Sequence, residues 1–226
     1  MSTVITGASG HLGGLVVEQL LAAGTSPAQL VATGRDVGAL AGLAQRGVTV
    51  RRGDFADPGT LDAAFAGAEA VLLVSTTTVG ERFANARTAI DAAVRAGVSR
   101  VVYTSLVNAS TARMTLAGEH HRTEDYLRGS GVPFVILRNG WYLENYTDQL
   151  PMITRYRALL GSGREGRVSG AGRADLAAAA VAVLTQEGHL GATYELGGAP
   201  FTLTELAATF SEVLGTPIVY RDVSVA

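Results

Sequence analysis

Short runs of β-branched and aliphatic residues alternate with amphipathic stretches along the first 140 residues. Residues 3–6 read as a strand, and Leu12, Leu15, Val16, Gln19 and Leu20 then return at helical spacing. The alternation continues with strands at 30–33, 48–52, 70–74, 100–104 and 133–138. Between them lie helical patterns near 37–46, from the Asp57-Pro58 start to about Ala66, from Phe83 to Val94, and near 117–128. Strands separated by helices pair in parallel through right-handed crossovers. The runs Val71-Leu72-Leu73-Val74 and Val101-Val102-Tyr103 are apolar on both faces, as strands covered by helices on both sides must be.

Beyond Asn139 the rhythm breaks. Residues 141–146 are aromatic and polar, 152–160 read as a short helix, and 161–172 as a glycine-rich loop with room for a short strand. An alanine-rich helix follows at 175–186, then a strand at 193–196. A capping box at Thr202 and Glu205 opens a helix to about Leu214, and a last strand occupies 217–221. The fold class is α/β: a Rossmann-type doubly wound parallel sheet with a small C-terminal α/β cap. The expected division is a sheet-forming Rossmann-type domain at 1–140, with sheet-completing segments near 173–196, and a small second region at 141–226.

The segment between the first strand and the first helix carries the chemistry. Gly7, Ala8, Ser9, Gly10, His11 and Leu12, with Gly13 behind them, form G-x-x-G-x-x-G. Gly7 permits the sharp turn, Gly10 lets backbone approach a pyrophosphate, and Gly13 allows helix to pack on strand. The helix N-terminus then presents N–H donors and a partial positive charge. At the end of the second strand Arg35 suits a 2′-phosphate, so NADPH is favoured over NADH. The adjacent Asp36 has an alternative use as a helix cap. Asp54 and Phe55 after the third strand are placed to border an adenine, or else form a surface turn. Ser75, Thr76 and Thr77 follow the fourth strand at the carboxyl edge, where they line a ribose or form a solvated loop.

Composition narrows the chemistry. The chain has no cysteine, which excludes thiolate nucleophiles and thiolate-held metals. All 18 basic residues are arginine, so Schiff-base chemistry is excluded too. The net charge of −2 and the absence of a basic stripe argue against nucleic acid as partner. The longest strongly apolar stretch, 177–184, is too short to span a bilayer, and a cytoplasmic protein is expected. His120 and His121 are adjacent and diverge by about 100° on a helix, so no metal site is expected.

Many short-chain dehydrogenases use Tyr-x-x-x-Lys, in which the lysine lowers the pKa of the tyrosine acid. Here Leu116 and His120 occupy that spacing. Carbonyl reduction by such a dyad is excluded, which favours an acceptor needing little enzymic acid, such as a quinone.

The stretches 6–12, Tyr103-Thr104-Ser105-Leu106, Glu119-His120 with Thr123-Glu124, and Leu137-Arg138-Asn139-Gly140-Trp141-Tyr142 with Glu144-Asn145-Tyr146 resemble the NmrA-like atypical short-chain dehydrogenases. Arg173-Ala174-Asp175 and Gly188-His189 extend the likeness. It is strongest to the NADPH:quinone oxidoreductase type 2 group and more distant to triphenylmethane reductase. The resemblance implies NADPH and a quinone meeting between a Rossmann domain and a small C-terminal domain. It implies that Asn139, Gly140, Trp141 and Tyr142 line the nicotinamide half. Trp141, Tyr142 and Tyr146 either stack on a flat acceptor or pack within the cap, and His120 and Tyr142 are the candidates for a catalytic role. Relatives continue some tens of residues past the point matching 219–226, so the cap is expected to be incomplete. The expected function is an NADPH-dependent quinone reductase acting as monomer or homodimer. The alternative, from regulators in the same family, is an NAD(P)-sensing protein without turnover.

Overall fold

In the computed structural model, residues 2–78 and 80–224 are described. The chain divides into two compact units, Met1–Asn139 with Arg173–Leu196, and Gly140–Gly172 with Gly197–Ala226.

The first unit is built from β1 (Thr3–Ile5), α1 (His11–Ala22), β2 (Leu30–Gly34), α2 (Ala41–Gln45) and β3 (Thr49–Arg52). It continues with α3 (Pro58–Phe65), β4 (Ala70–Leu73), α4 (Arg82–Arg95), β5 (Arg100–Leu106), α5 (Thr115–Gly129) and β6 (Phe134–Asn139). In the second unit lie β7 (Trp141–Tyr142), α6 (Glu144–Thr147), α7 (Leu150–Tyr156), β8 (Ala158–Gly161), β9 (Arg167–Val168) and β10 (Gly170–Ala171). The chain returns to the first unit for α8 (Arg173–Thr185) and β11 (Thr193–Leu196). It closes in the second with β12 (Phe201–Thr202), α9 (Leu203–Leu214) and β13 (Val219–Asp222).

Seven parallel strands form one sheet in the order β11-β6-β5-β4-β1-β2-β3. Strand order reverses at β1 and β4, so the crevice outside their carboxyl ends is the place where such sheets take ligands. One face packs Val4, Val71, Leu73, Val101, Tyr103 and Ile136 against Leu61, Phe65, Ile90 and Leu127 of α3, α4 and α5. Alternate residues, Ile5, Leu72, Val102 and Val135, point the other way and are also buried. The helices α1 and α8 pack on each other, and Gln19 Nε2 donates to the Ala174 carbonyl at 2.9 Å.

The second unit has a smaller core of Ile153, Leu159, Leu203, Ala207, Phe210 and Ile218. Its strands pair only two by two: β7 with β10, β9 with β12, and β8 with β13. The capping box is present. Thr202 Oγ1 accepts from Glu205 N at 3.1 Å, and Glu205 Oε2 accepts from Thr202 N at 2.7 Å.

Several local expectations are corrected. The helix expected over 152–160 stops at Tyr156, because Arg157 takes a left-handed conformation with φ 49°. Ala158 and Leu159 then pair with β13 and are buried, which a surface helix would not achieve. The expected loop at 161–172 contains two short strands, β9 and β10. The helix near 37–46 is a 3₁₀ turn over Gly38–Leu40 followed by the short α2. Asp57 stands before α3 without a side-chain cap bond; the Thr60 hydroxyl donates to its carbonyl at 2.7 Å instead.

Candidate cofactor and acceptor site

The β1–α1 connection is shaped by backbone. The Thr6 hydroxyl donates to the Leu72 carbonyl at 3.0 Å and accepts from Val74 N at 2.9 Å, which fastens the loop to β4. Ala8 N donates to the Thr33 carbonyl at 3.0 Å, which fastens it to β2. Gly7 turns the chain at φ +60°, and Gly10 N donates back to its carbonyl at 2.9 Å. A Cβ on Gly13 would lie 2.4 Å from the Gly7 carbonyl oxygen, so only glycine fits there. A Cβ on Gly34 would lie 3.1 Å from Ser9 Oγ. The N-cap of α1 is Gly10, which supplies no side-chain acceptor. The cap itself therefore brings no side chain to compete with an anion for the first-turn N–H groups. Ala8 and Leu12 are buried and can offer only backbone, whereas Ser9, Gly10 and His11 are exposed.

Arg35 leaves the end of β2 exposed to solvent. Asp36 closes the turn that follows, its Oδ1 accepting from Gly38 N at 2.8 Å. Asp54 is half-buried; its Oδ1 accepts from Ala56 N at 3.1 Å, and its N–H donates to Thr60 Oγ1 at 2.9 Å. Phe55 packs against the core of the sheet. Ser75 N donates to Thr104 Oγ1 at 3.0 Å. The Thr76 carbonyl accepts from Arg82 Nε at 2.6 Å, while Thr76 Oγ1 is buried with no partner among the described residues. Thr77 is exposed. The sheet thus brings the glycine loop together with the ends of β2 and β4.

At the other end of the same edge, α5 presents polar groups to the sheet. His120 is buried, and its Nδ1 lies 2.8 Å from the Tyr103 hydroxyl of β5. Burial pulls its imidazole down to about 4, and the Arg82 guanidinium pushes the same way. Burial raises the Tyr103 phenol. His120 is therefore neutral near pH 7 and points into the helix–sheet interface. That removes it from the exposed face of α5. Its neighbour Glu119 accepts from Gly80 N at 3.3 Å and Arg82 N at 3.2 Å, so a carboxylate sits on the N-terminus of α4.

Glu124 is fully buried and accepts from Ser105 Oγ at 2.6 Å, Arg138 Nε at 2.8 Å and Arg128 Nη2 at 3.1 Å. Burial alone would raise its carboxyl, but the bonds from Arg138 and Ser105 outweigh this and hold it low. Arg138 is held charged by the Glu124 carboxylate, and reaches Glu195 Oε1 of β11 at 2.7 Å. Sequence patterning assigns no role to Glu119, Glu124, Glu195 or Arg82. A signal exists: Ala117, His120, Glu124 and Leu127 fall on one stripe of α5, and all four are buried.

Asn139 ends β6 with its side chain buried and Oδ1 unpartnered among the described residues. In the second unit, Gly140 is buried and Trp141 is 45% exposed. The Trp141 ring lies 6.5 Å from that of Tyr146. Tyr146 packs against the small core and meets Phe201 edge-on at 6.2 Å, which favours a packing role for it. Tyr142 is half-buried and pairs with β10 through its backbone. Among the described residues no group of three or more His, Asp or Glu side chains is arranged to hold a metal, and no helix is long and apolar enough to cross a membrane.

The profile of the NAD(P)H-binding family matches residues 7–187. Quinone oxidoreductase 2 of Escherichia coli strain K12 is 42% identical over 224 residues, covering 98% of this chain and 78% of that protein. The crystal structure of the Escherichia coli NADPH-dependent quinone oxidoreductase complexed with NADPH superposes with a TM-score of 0.94 at 40% identity, over 99% of this chain and 79% of that one. Triphenylmethane reductase of Citrobacter sp., complexed with NADP(H), also gives 0.94, at 36% identity, over 99% and 80%. NmrA, a negative transcriptional regulator solved with NAD, shares the fold at a TM-score of 0.83 and 20% identity, over 98% and 74%. The chain belongs to the NAD(P)H-binding family.

Proposed function

We propose that the protein is an NADPH-dependent reductase that passes hydride to a quinone or a similar flat conjugated acceptor without a Tyr-x-x-x-Lys dyad. The observation that carries this reading is the β1–α1 loop: glycines packed at backbone distance below an uncapped helix N-terminus, with exposed Arg35 at the end of the neighbouring strand. It is supported by the likeness to Escherichia coli quinone oxidoreductase 2.

The first-turn amides of α1, with Ser9 and Gly10, hold the pyrophosphate. Arg35 takes the 2′-phosphate through its planar fork. Ser75, Thr76 and Thr77 border the ribose next to the nicotinamide. Asp54 and Phe55 border the adenine, and Asn139 and Gly140 flank the nicotinamide half. When bound, the cofactor supplies the hydride. Leu116 has no proton to give, and His120 is buried and paired with Tyr103. The acceptor must therefore gain its electrons before water completes protonation, which suits a quinone. The exposed ring of Trp141, with Tyr142, offers a flat apolar surface for such an acceptor. The chain's part in the reaction is binding and orientation. On the same reading the protein works in the cytoplasm as a monomer or homodimer.

The test is nicotinamide absorbance on mixing the protein with NADPH or NADH and a panel of small quinones. Quinone-dependent oxidation, faster with NADPH, is expected. Tight NADP binding with no oxidation of NADPH by any quinone would favour a cofactor-sensing regulator.

A further inference from the structure

A line of charge runs through the first unit from its interior to the loop that follows β5. Its inner end is Glu124, held by Ser105, Arg128 and Arg138. Arg138 Nη2 bonds Glu124 at 2.6 Å, and Arg138 Nη1 bonds Glu195 Oε1 at 2.7 Å. Arg138 and Glu195 are register partners on neighbouring parallel strands, so the pair is set by the sheet itself. The second oxygen, Glu195 Oε2, accepts from the backbone N–H of Asn108 at 3.0 Å.

Asn108 has φ 57°, a left-handed conformation that asparagine adopts more readily than other residues with a Cβ but less readily than glycine. It is the pivot of its loop. Its carbonyl accepts from Thr111 N at 3.0 Å and Ala112 N at 2.8 Å, and the preceding Val107 N donates to the Asn139 carbonyl at 3.0 Å. The loop is thus pinned to the end of β6 on one side and to Glu195 on the other. It stands at the carboxyl edge of the sheet, the edge that carries the proposed cofactor residues.

We propose that Glu195 is a positioning residue for the acceptor: fixed by Arg138 and Glu124, it holds the 107–112 loop in the shape that borders the reacting end of the site. This rests on the reductase reading above. Glu195 lies on the outermost strand and its side chain is 43% exposed, so burial does not account for its pairing. Its two oxygens instead bridge a near-buried guanidinium and a backbone turn of left-handed conformation.

Three variants test this. In Glu195→Ala, hydrogen exchange at the Asn108, Thr111 and Ala112 amides should accelerate. The quinone KM should rise roughly tenfold, as a displaced site loop commonly causes, with NADPH affinity kept within about twofold. Glu195→Gln keeps an acceptor for the Asn108 N–H and should retain most of the quinone affinity. Asn108→Gly in the Glu195→Ala background removes the left-handed penalty and should recover part of the loss. Unchanged loop exchange in Glu195→Ala would overturn the proposal. So would a loss of NADPH affinity matching the rise in quinone KM, or no recovery in the double variant. Absence of quinone turnover in the unaltered protein would instead remove the reductase reading, and loop exchange would still decide whether Glu195 holds the loop.

Discussion

The two ends of the sheet's carboxyl edge are held by opposite means. The β1–α1 loop is made of backbone: its turns are glycine, its anchors are carbonyls of β2 and β4, and among the described residues the side chain that anchors it is the Thr6 hydroxyl. The region of α5, β5 and β6 is made of side chains, with Glu124, Arg138, His120 and Tyr103 buried or nearly so and bonded to one another in two pairs. A backbone site fails when an atom is added. A side-chain site fails when a partner or a proton is changed.

The largest effect should come from adding one methyl group to the first site. In Gly13→Ala the new Cβ meets the Gly7 oxygen at 2.4 Å and the Gly7 carbon at 2.8 Å, both backbone, so the loop itself must move. The expected cost is about 3 kcal/mol or more of unfolding free energy, together with loss of NADPH binding. Gly10→Ala is the control for this geometry. There the nearest contact is 3.2 Å from the same oxygen, and the loss of stability should be distinctly smaller. Urea unfolding and NADPH titration of both variants check the ranking. Equal effects would mean that the close approach at Gly13 does not control the loop.

This contrast explains what can be read from the sequence. A backbone loop of this kind announces itself through glycine spacing, because few other residues can occupy the positive φ of Gly7 or the close approach of Gly13; hence Gly7, Gly10 and Gly13 stand out at once. The parallel sheet is legible for a similar reason, since Val71-Leu72-Leu73-Val74 has only one kind of environment that suits it. The Glu124–Arg138 network is not legible. A glutamate on a helix reads as solvated, and its burial becomes tolerable through the partners that the fold brings to it, Arg138 of β6 and Ser105 of β5, beside Arg128 of its own helix. The same limit applies to β8 and β13: Ala158 and Val219 are far apart in sequence, and their pairing appears only once the second unit is assembled. Asp36 shows the converse. Beside Arg35 it obscures the choice of cofactor, and its bond to Gly38 N identifies it as a turn residue.

A proton should disturb the second region and spare the first. His120 is held at about 4, well below the ordinary histidine value, chiefly by burial. A depressed histidine pKa means that the unfolded chain takes up the proton first. Stability contributed by the neutral ring is complete above pH 6.5 and is lost as pH falls from there towards 4. The loss amounts to at most about 3 kcal/mol for a ring so placed. Unfolding free energies across that window should fall more steeply for the unaltered protein than for His120→Gln, which has nothing to titrate there. Parallel slopes would show that the Tyr103–His120 pair does not control the acid sensitivity of this region.

The smallest effect, and the most selective, belongs to Arg35. It is exposed at the end of β2, unlike the buried groups of α5, so its removal should leave folding nearly untouched. Its contribution should appear only when a 2′-phosphate is present. Arg35→Ala should weaken NADPH by roughly 1.5–3 kcal/mol, the range for a lost hydrogen bond to a charged group, and NADH hardly at all. Titrating both cofactors into both proteins separates that specific loss from a general one. An equal loss for NADPH and NADH would mean that Arg35 shapes the loop and does not read the phosphate. The proposed phosphate contacts would then reduce to those of the β1–α1 connection. A loss confined to NADPH would add one charged side chain to the proposed phosphate contacts of the glycine loop, and would place the choice of cofactor on the residue that follows β2.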